Sequence, residues 1–486
     1  MRGKISIIIP PYHKRNGSST FFPLGIGYIS SYLSQFGYSV HILDFTENVD
    51  DIDIDISETT ISEMICSKYG LVDDNLMWGI GPVTTASAPI IKYIVDTIRT
   101  ISKKPIVCGG PLASIEDQKW FFFDFLHVDA IVRGDGEEAL LSLVDLLAQG
   151  NSVEDCDKVS TKEYSAPFQT IENIDDLPFP LRPVAEDCGK MHASIRRGVL
   201  PYPVTTIVTM RGCPYRCPFC VSGNLREYAK FSSDRIINEL KEIERLGYKS
   251  VIFFDDCMFF GNRAKSDIAE FCHKIKENDV KLYWTMELRP DVFQTLTERE
   301  FKLLSECGCK EINIGFESVS KDAQKLYRKR YNPQLIIDAC NCAISNNIII
   351  AGTFIIGGPT ETIDSIEATI NFAKESGIIF AHFTPLEIYP GTPLYSSMFG
   401  TDPKAWFFAQ QKEELGWNEV IFDSENMSAD ILIKKSSLAY EMFYDEEWKK
   451  RVRKIIEKDL FVDTVEMSEM IRNRYNFIEG GNDGTV

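Results

Sequence analysis

The chain has 486 residues with a net charge of −19, 44% hydrophobic and 25% charged residues, enough for two or three ordinary globular cores. The acidic balance argues against a binder of duplex nucleic acid, which carries a basic footprint, but leaves a small anionic substrate open because local patches outweigh net charge. No apolar run is long enough to cross a bilayer, and Ile5–Ile9 before Pro10 is too short for a secretory signal, so the expectation is a cytoplasmic protein without a membrane span.

The first 150 residues alternate strand and helix. Ile5–Ile9, Tyr38–Leu43, Leu76–Ile80, Pro105–Cys108 and Ala130–Arg133 read as short buried strands. Helical spacing covers Pro23–Phe36, ending at Gly37, then about Pro89 to Ile101, and the stretch after Glu137 to about Ala148. This is the rhythm of a doubly wound, Rossmann-like parallel sheet, whose ligands bind beyond the strand C-termini. Residues 151–200 lack periodicity, and Leu177-Pro178-Phe179-Pro180 with Arg182-Pro183 reads as an extended linker. A second alternating series runs over 201–395, with strands ending at Met210, Phe254, Glu287, Ile314, Ile356 and about Leu386. Helices lie between them, as at Asp234–Leu246 and Ser365–Ser376. Six βα units suit a partial (β/α)6 barrel. The region 396–486 reads as helical and charged, with a polar tail.

Thirteen cysteines, an odd number without a signal, do not suggest a disulfide framework, and most are isolated. Three are not: Cys213-Pro214-Tyr215-Arg216-Cys217-Pro218-Phe219-Cys220 has the spacing C-x-x-x-C-x-x-C just after the first barrel strand. Thiolates ligate iron–sulfur clusters, and three of them on a four-iron cube leave one iron open for a substrate. A zinc site is the competing reading, but zinc usually takes four ligands, and the next cysteine is Cys257.

This segment resembles the signature of the radical S-adenosylmethionine (SAM) superfamily, Phe219 included. The resemblance implies a 4Fe–4S cluster on Cys213, Cys217 and Cys220 that reduces SAM to methionine and a 5′-deoxyadenosyl radical. It further implies that Asp255 or Asp256, after the second strand, holds the SAM amino group. A helix cap is the bland alternative there. Arg289 would clamp the SAM carboxylate or face solvent, and Glu317 would hold ribose hydroxyls or the amino group. Gly357 and Gly358 would let backbone pack against adenine, with Glu361 capping the following helix.

The N-terminal landmarks, taken in order, resemble the branch of that superfamily with a cobalamin-binding domain in front. They are Pro10-Pro11-Tyr12, Pro23-Leu24-Gly25, Gly79-Ile80 with Thr84-Thr85, Gly109-Gly110-Pro111, Arg133-Gly134-Asp135-Gly136-Glu137 and Leu177-Pro178-Phe179-Pro180, followed downstream by Tyr389-Pro390-Gly391-Thr392-Pro393-Leu394-Tyr395. Tyr12, Thr84, Thr85, Gly109, Gly110, Arg133, Gly134 and Glu137 are then the cofactor-binding candidates; small residues at Gly109 and Gly110 would admit the cobalamin tail. The D-x-H-x-x-G motif of a histidine lower ligand is missing, and His13 reads as a loop histidine. The resemblance implies methylation of an unactivated carbon of a small molecule, fed by a flavodoxin- or ferredoxin-type reductant; Arg196, Arg197, Arg211, Arg216 and Arg226, close in sequence to the cysteines, either form a basic docking surface for it or hold SAM and solvate the linker. A non-methylating rearrangement, cyclisation, dehydration or epimerisation on the same architecture is the alternative, and a non-catalytic cluster or cobalamin sensor is the weaker one. Methylthiolation of tRNA is disfavoured, because neither extra cluster cysteines nor a basic tail is present.

Overall fold

The computed structural model describes residues 2–11, 22–45, 65, 74–85, 87–185, 199–400, 402–410 and 427–456. They form two compact units: 1–183 with 389–411, and 184–388 with 412–486.

In the first unit, β1 (Gly3–Ile9), β2 (Tyr38–Asp44), β3 (Asn75–Ile80), β4 (Ile106–Gly109) and β5 (Ala130–Val132) make one sheet in the order β2-β1-β3-β4-β5. Every pair is parallel. The helices are α1 (Leu24–Gln35), α2 (Ala88–Ile101) and α3 (Glu137–Ala148). Ile5, Ile7, Met77 and Val107 of the strands pack with Leu33 of α1 and Leu143 and Val144 of α3. Parallel strands buried on both faces read as apolar runs, which is why the sequence locates them. The order reverses between β1 and β3, which opens a crevice beyond the C-terminal ends of these strands.

The expected linker is part of this unit as far as Pro183. Val153, Cys156 and Val159 join the core. Ser160 bridges to Ile131, and Gln169 to Gly134. Leu181 donates its N–H to the Gly27 carbonyl on α1 at 3.0 Å. The segment is fastened by single bridges and turns, which leave no periodicity to read. The stretch 389–411 also belongs to this unit rather than to the barrel or a separate tail. Its Trp406 indole donates to Gln118 Oε1 at 2.7 Å, and Phe407 packs on Trp120, Phe121 and Phe125.

In the second unit, β6 (Val204–Ile207), β9 (Ser250–Phe253), β10 (Tyr283–Leu288), β11 (Cys309–Glu317), β12 (Ile349–Ile356) and β13 (Phe380–Pro385) form an open six-stranded sheet in that spatial order. Again every pair is parallel. A short antiparallel ribbon, β7 (Met210–Arg211) with β8 (Ala229–Lys230), follows β6. The crossover helices are α4 (Ser233–Arg245), α5 (Ala264–Glu277), α6 (Glu298–Glu306), α7 (Pro333–Ser345) and α8 (Ile363–Glu375). A partial barrel leaves an edge, and an exposed edge invites pairing with another chain. Helix α9 (Ala429–Phe443) and the residues after it cover it. Tyr440 Oη accepts from Phe383 N, Tyr444 Oη both accepts from Ala381 N and donates to its carbonyl, and the Trp448 indole donates to Ile379 O. No helix among the described residues is long and apolar enough to cross a membrane.

Candidate active site

The cysteine loop hangs between the two strands of the β7–β8 ribbon, just past the C-terminal end of β6. Its entry is fixed by Asp255, whose Oδ1 accepts from Thr209 N at 2.8 Å and Met210 N at 3.0 Å. Gly212, at φ +75°, turns the chain where a Cβ would crowd the Glu227 carbonyl. Within the loop, Cys220 N donates to Cys217 O, and Asn224 Nδ2 bridges the Cys217 and Cys220 carbonyls at 2.8 and 2.6 Å. Arg216 donates to Gly223 O at 2.7 Å, and Gly223 must lack a side chain because a Cβ would lie 1.7 Å from Tyr215 O.

Arg289 supports the loop from below. Its guanidinium lies 3.8 Å from the centroid of the Tyr215 ring, donates to Cys217 Sγ at 3.4 Å and to Arg328 O at 3.0 Å, and pairs with Asp291 at 2.9 Å. Arg328 in turn donates to Arg216 O at 3.1 Å. Arg289 is buried, so it is neither solvent-facing nor idle.

Cys217 is buried, while Cys213 and Cys220 are half-buried. Burial pushes the Cys213 thiol up to about 11 and also raises that of Cys220. Iron must therefore displace protons to bind. Among the described residues no three His, Cys, Asp or Glu side chains are gathered to hold one metal ion. Three thiols on one loop, at the end of a strand, are the donor set that three corners of an iron–sulfur cube take, and the loop fits the cluster in that respect.

Asp255 is buried, and burial lifts its carboxyl to about 7, offset in part by the Thr209 and Met210 N–H groups. A carboxyl raised in the folded state holds more protons than in the unfolded chain, where it titrates near 4, so stability falls as pH rises between the two values. In protein without its cluster, Asp255→Asn is expected to flatten this dependence. Urea unfolding at pH 5 and pH 8 should show the difference between wild type and variant change by up to about 3 kcal/mol; an equal pH slope for both proteins contradicts it. Asp256 is exposed and accepts from Ser222 Oγ at 2.9 Å, close to the cysteine loop.

At the end of β11, a register shift between Gly315 and Glu317 and a φ of +61° at Glu317 turn its side chain out of the strand pattern. Glu317 forms a buried ion pair with Lys329, whose Nζ also donates to Gly315 O at 2.7 Å and lies 6.0 Å from the Phe219 ring centroid. Phe219 also meets the Tyr327 ring edge-on at 5.1 Å. The β12 end turns through Gly357 at φ +87°. Glu361, buried, accepts from Gly357 N at 2.9 Å, Gly358 N at 3.0 Å and Ser318 Oγ at 2.8 Å. Glu361 thus holds the turn itself; Thr362 caps the next helix. The structure therefore gathers Phe219, Glu317, Gly357 and Gly358 at one end of the strands. Lys329, Tyr327 and Asn224 are additions that sequence reasoning missed: Lys329 stands in an Arg-Lys-Arg run that reads as solvent-facing, and neither of the others lies in a recognisable motif.

Tyr12 and His13, in the first unit, and Arg196 and Arg197, in the second, lie outside the described residues. Gly110, at φ +119°, is pressed on the preceding loop: a Cβ would lie 2.5 Å from Val83 N. At Gly109 a Cβ meets nothing within 4 Å. A Cβ thus finds open space at Gly109 and backbone at Gly110. Thr84 is half-buried and engages Ser87 at the start of α2, its N–H donating to Ser87 Oγ at 3.0 Å. The Thr85 carbonyl accepts from Ala88 N. Arg133 pairs with Glu116 and donates to Ala166 O at 3.2 Å, and a Cβ on Gly134 would strike Gln169 O at 2.2 Å. Asp135 accepts from Ile171 N at 2.9 Å. Glu137 is buried at the first turn of α3. The Arg133–Glu137 segment thus fastens the 160–171 stretch to the sheet. At Gly109, the end of β4, the backbone is open to close approach by another group, as a cofactor tail entering among strand ends would need.

Residues 207–373 match the family model of the radical SAM superfamily, and residues 16–144 match the B12 binding domain. The chain is 31% identical over 405 residues to an uncharacterized methyltransferase of Pyrococcus horikoshii, covering 81% of this chain and 82% of that protein. It is 23% identical over 421 residues to the anaerobic magnesium-protoporphyrin IX monomethyl ester cyclase of Rubrivivax gelatinosus, covering 81% and 70%. Among solved structures it resembles the radical SAM methyltransferase TsrM of Kitasatospora setae, with a TM-score of 0.63 and 16% identity over 84% of this chain and 77% of that one. With its three-cysteine loop at the mouth of a partial barrel and a doubly wound sheet in front, the chain belongs to the radical SAM superfamily, in the branch that carries a B12-binding domain.

Proposed function

We propose that this protein is a cobalamin-dependent radical SAM methyltransferase acting on an unactivated carbon of a small molecule. The observation that carries the reading is the presence, in one chain, of a three-thiol loop at the mouth of one parallel sheet and a glycine facing open space at the mouth of another. When bound and reduced, the 4Fe–4S cluster would supply the electron that cleaves SAM to methionine and a 5′-deoxyadenosyl radical, which becomes 5′-deoxyadenosine by taking a hydrogen atom from the substrate carbon, and cobalamin would supply a methyl carrier.

The chain's own residues prepare this chemistry. Cys213, Cys217 and Cys220 hold three irons and leave the fourth for SAM. Asn224 and Arg289 keep the loop in shape, Arg289 through Cys217 Sγ and the Arg328 carbonyl, and its remaining N–H groups suit the SAM carboxylate. Asp256 offers an exposed carboxylate to the SAM ammonium, while Asp255 serves the loop entry. Glu317, held by Lys329, would take the ribose hydroxyls, and Phe219 stands beside the Lys329 ammonium. Gly109 admits the cobalamin tail, with Thr84 and Thr85 on the neighbouring loop. Low-potential chemistry calls for a flavodoxin- or ferredoxin-type donor, and the many buried free thiols suit a reducing compartment such as the cytoplasm.

The relationship to a cyclase favours a second reading, a non-methylating radical reaction on the same framework. Incubating reduced, cluster-reconstituted protein with SAM, with and without hydroxocobalamin, separates them. A methyltransferase forms S-adenosylhomocysteine in at least equimolar amount only when cobalamin is present. Formation of 5′-deoxyadenosine alone under both conditions selects the second reading.

A further inference from the structure

The second unit gathers further cysteines at the end of β11 that lies away from the cluster loop. Cys272 is on α5, Cys307 closes α6, and Cys309 opens β11. All three are free thiols and buried. The sulfurs of Cys307 and Cys272 are 2.9 Å apart. A disulfide bond needs about 2.05 Å, so roughly one ångström of closure separates this pair from a bond. The two helices that carry them pack on each other. The backbone at Cys307 is fixed: its carbonyl accepts from the Trp284 indole at 2.8 Å, and its N–H donates to Leu303 O at 3.2 Å. Cys309 Sγ is directed elsewhere, to Glu311 O at 3.7 Å. Cys272 is fully enclosed, while Cys307 is 6% exposed and is the nearer to solvent. Next to it, Lys276 of α5 and Glu306 of α6 form a half-exposed ion pair at 2.7 Å, and the Lys276 ammonium favours charge on the Cys307 sulfur.

We infer that Cys272 and Cys307 are an oxidative modification site, where hydrogen peroxide converts the two thiols to a disulfide that staples α5 to the turn between α6 and β11. The Cys307 sulfur attacks one peroxide oxygen, the O–O bond breaks, and the thiol becomes a sulfenic acid with release of one water. The Cys272 sulfur then displaces the sulfenic hydroxyl, which leaves with the Cys272 proton as a second water. The two thiols together lose two electrons, and one peroxide is reduced to two waters. The hydrogen bond to Cys272 and burial push the Cys307 thiol up, so thiolate is scarce and the first step is slow. The second step is fast, because the partner sulfur is already in place. The pair is therefore a staple set by sustained oxidant rather than a rapid sensor, and it draws on neither SAM nor the cluster thiols.

Cluster-reconstituted protein held in excess hydrogen peroxide below its unfolding temperature, then alkylated and digested without reductant, tests this. Mass spectrometry should find one linked peptide pair joining Cys272 to Cys307, lighter than the two reduced peptides by two hydrogens, and dithiothreitol should remove it. The thermal unfolding midpoint should rise by about 3–8 °C, because the bond closes a span of 35 residues in the unfolded chain. Cys272→Ser removes the resolving sulfur, so the linked peptides should vanish and dimedone should capture Cys307 as a sulfenic acid. Replacing Cys213, Cys217 and Cys220 together by alanine should leave the link unchanged. The inference is overturned if the folded wild type yields no Cys272–Cys307 link, if Cys272→Ser takes no more dimedone at Cys307 than the wild type, or if peroxide joins either thiol to Cys309 or to a cluster cysteine instead.

Discussion

Cys217→Ala is expected to strip the cluster from an otherwise folded protein. Cys217 is the most buried of the three thiols and the one that receives the Arg289 guanidinium. With it gone, two half-buried thiols remain, and two ligands do not retain a cube that needs three or four. Anaerobic reconstitution should load about four irons per wild-type chain and fewer than about one per variant chain. The cost to folding should be modest, about 1–2 kcal/mol, because one small group is lost from a loop whose backbone is held by Asn224 and Arg216. Iron chelation assays and the unfolding midpoint check the two halves together. Wild-type iron content in the variant contradicts the ligand assignment.

Gly109 and Gly110 are adjacent in sequence, and their substitution is expected to do opposite things. Gly110→Ala places a Cβ 2.5 Å from Val83 N on backbone at φ +119°. Val83 N, Pro82 Cα and Pro82 C, the nearest atoms, are all backbone, so the loop must shift, and a loss of about 3 kcal/mol or more in stability should follow. Gly109→Leu meets open space and should fold normally. It should instead fill the opening at the β4 end and reduce cobalamin retention from about one per chain to below about a tenth, in the way a bulky side chain blocks close approach at a strand glycine. Absorbance of protein loaded with hydroxocobalamin, read beside the unfolding midpoint, separates the outcomes. Normal cobalamin retention by a well-folded Gly109→Leu protein contradicts placement of the cofactor there.

The strands of both sheets were legible because each is a short apolar run closed by glycine, proline or a polar turn, and parallel strands covered on both sides have little else to show. The cysteine loop was legible because cluster ligation constrains residue type and spacing within eight positions. What stayed hidden depends on contacts distant in sequence. Residues 151–183 lack a period since single bridges to Ile131, Gly134 and Gly27 hold them. The barrel was expected to run to residue 395, yet 389–411 packs with the first unit through Trp406, Phe407 and Gln118, three residues without a shared motif. Lys329 reads as one of three consecutive cations, and only the bulge at Glu317 brings it inside. Gly109 and Gly110 look alike as letters; the left-handed φ of one and the empty space beside the other separate them.

The central claim is that reductive cleavage of SAM occurs at this three-cysteine loop. The most direct measurement is 5′-deoxyadenosine formed from SAM by dithionite-reduced, iron-replete wild type and by Cys217→Ala, counted per chain. The account predicts at least one equivalent from the wild type and a yield lower by a factor of at least about a thousand from the variant, since the cluster is the electron source. No 5′-deoxyadenosine from iron-replete wild type, or equal amounts from both proteins, would contradict it.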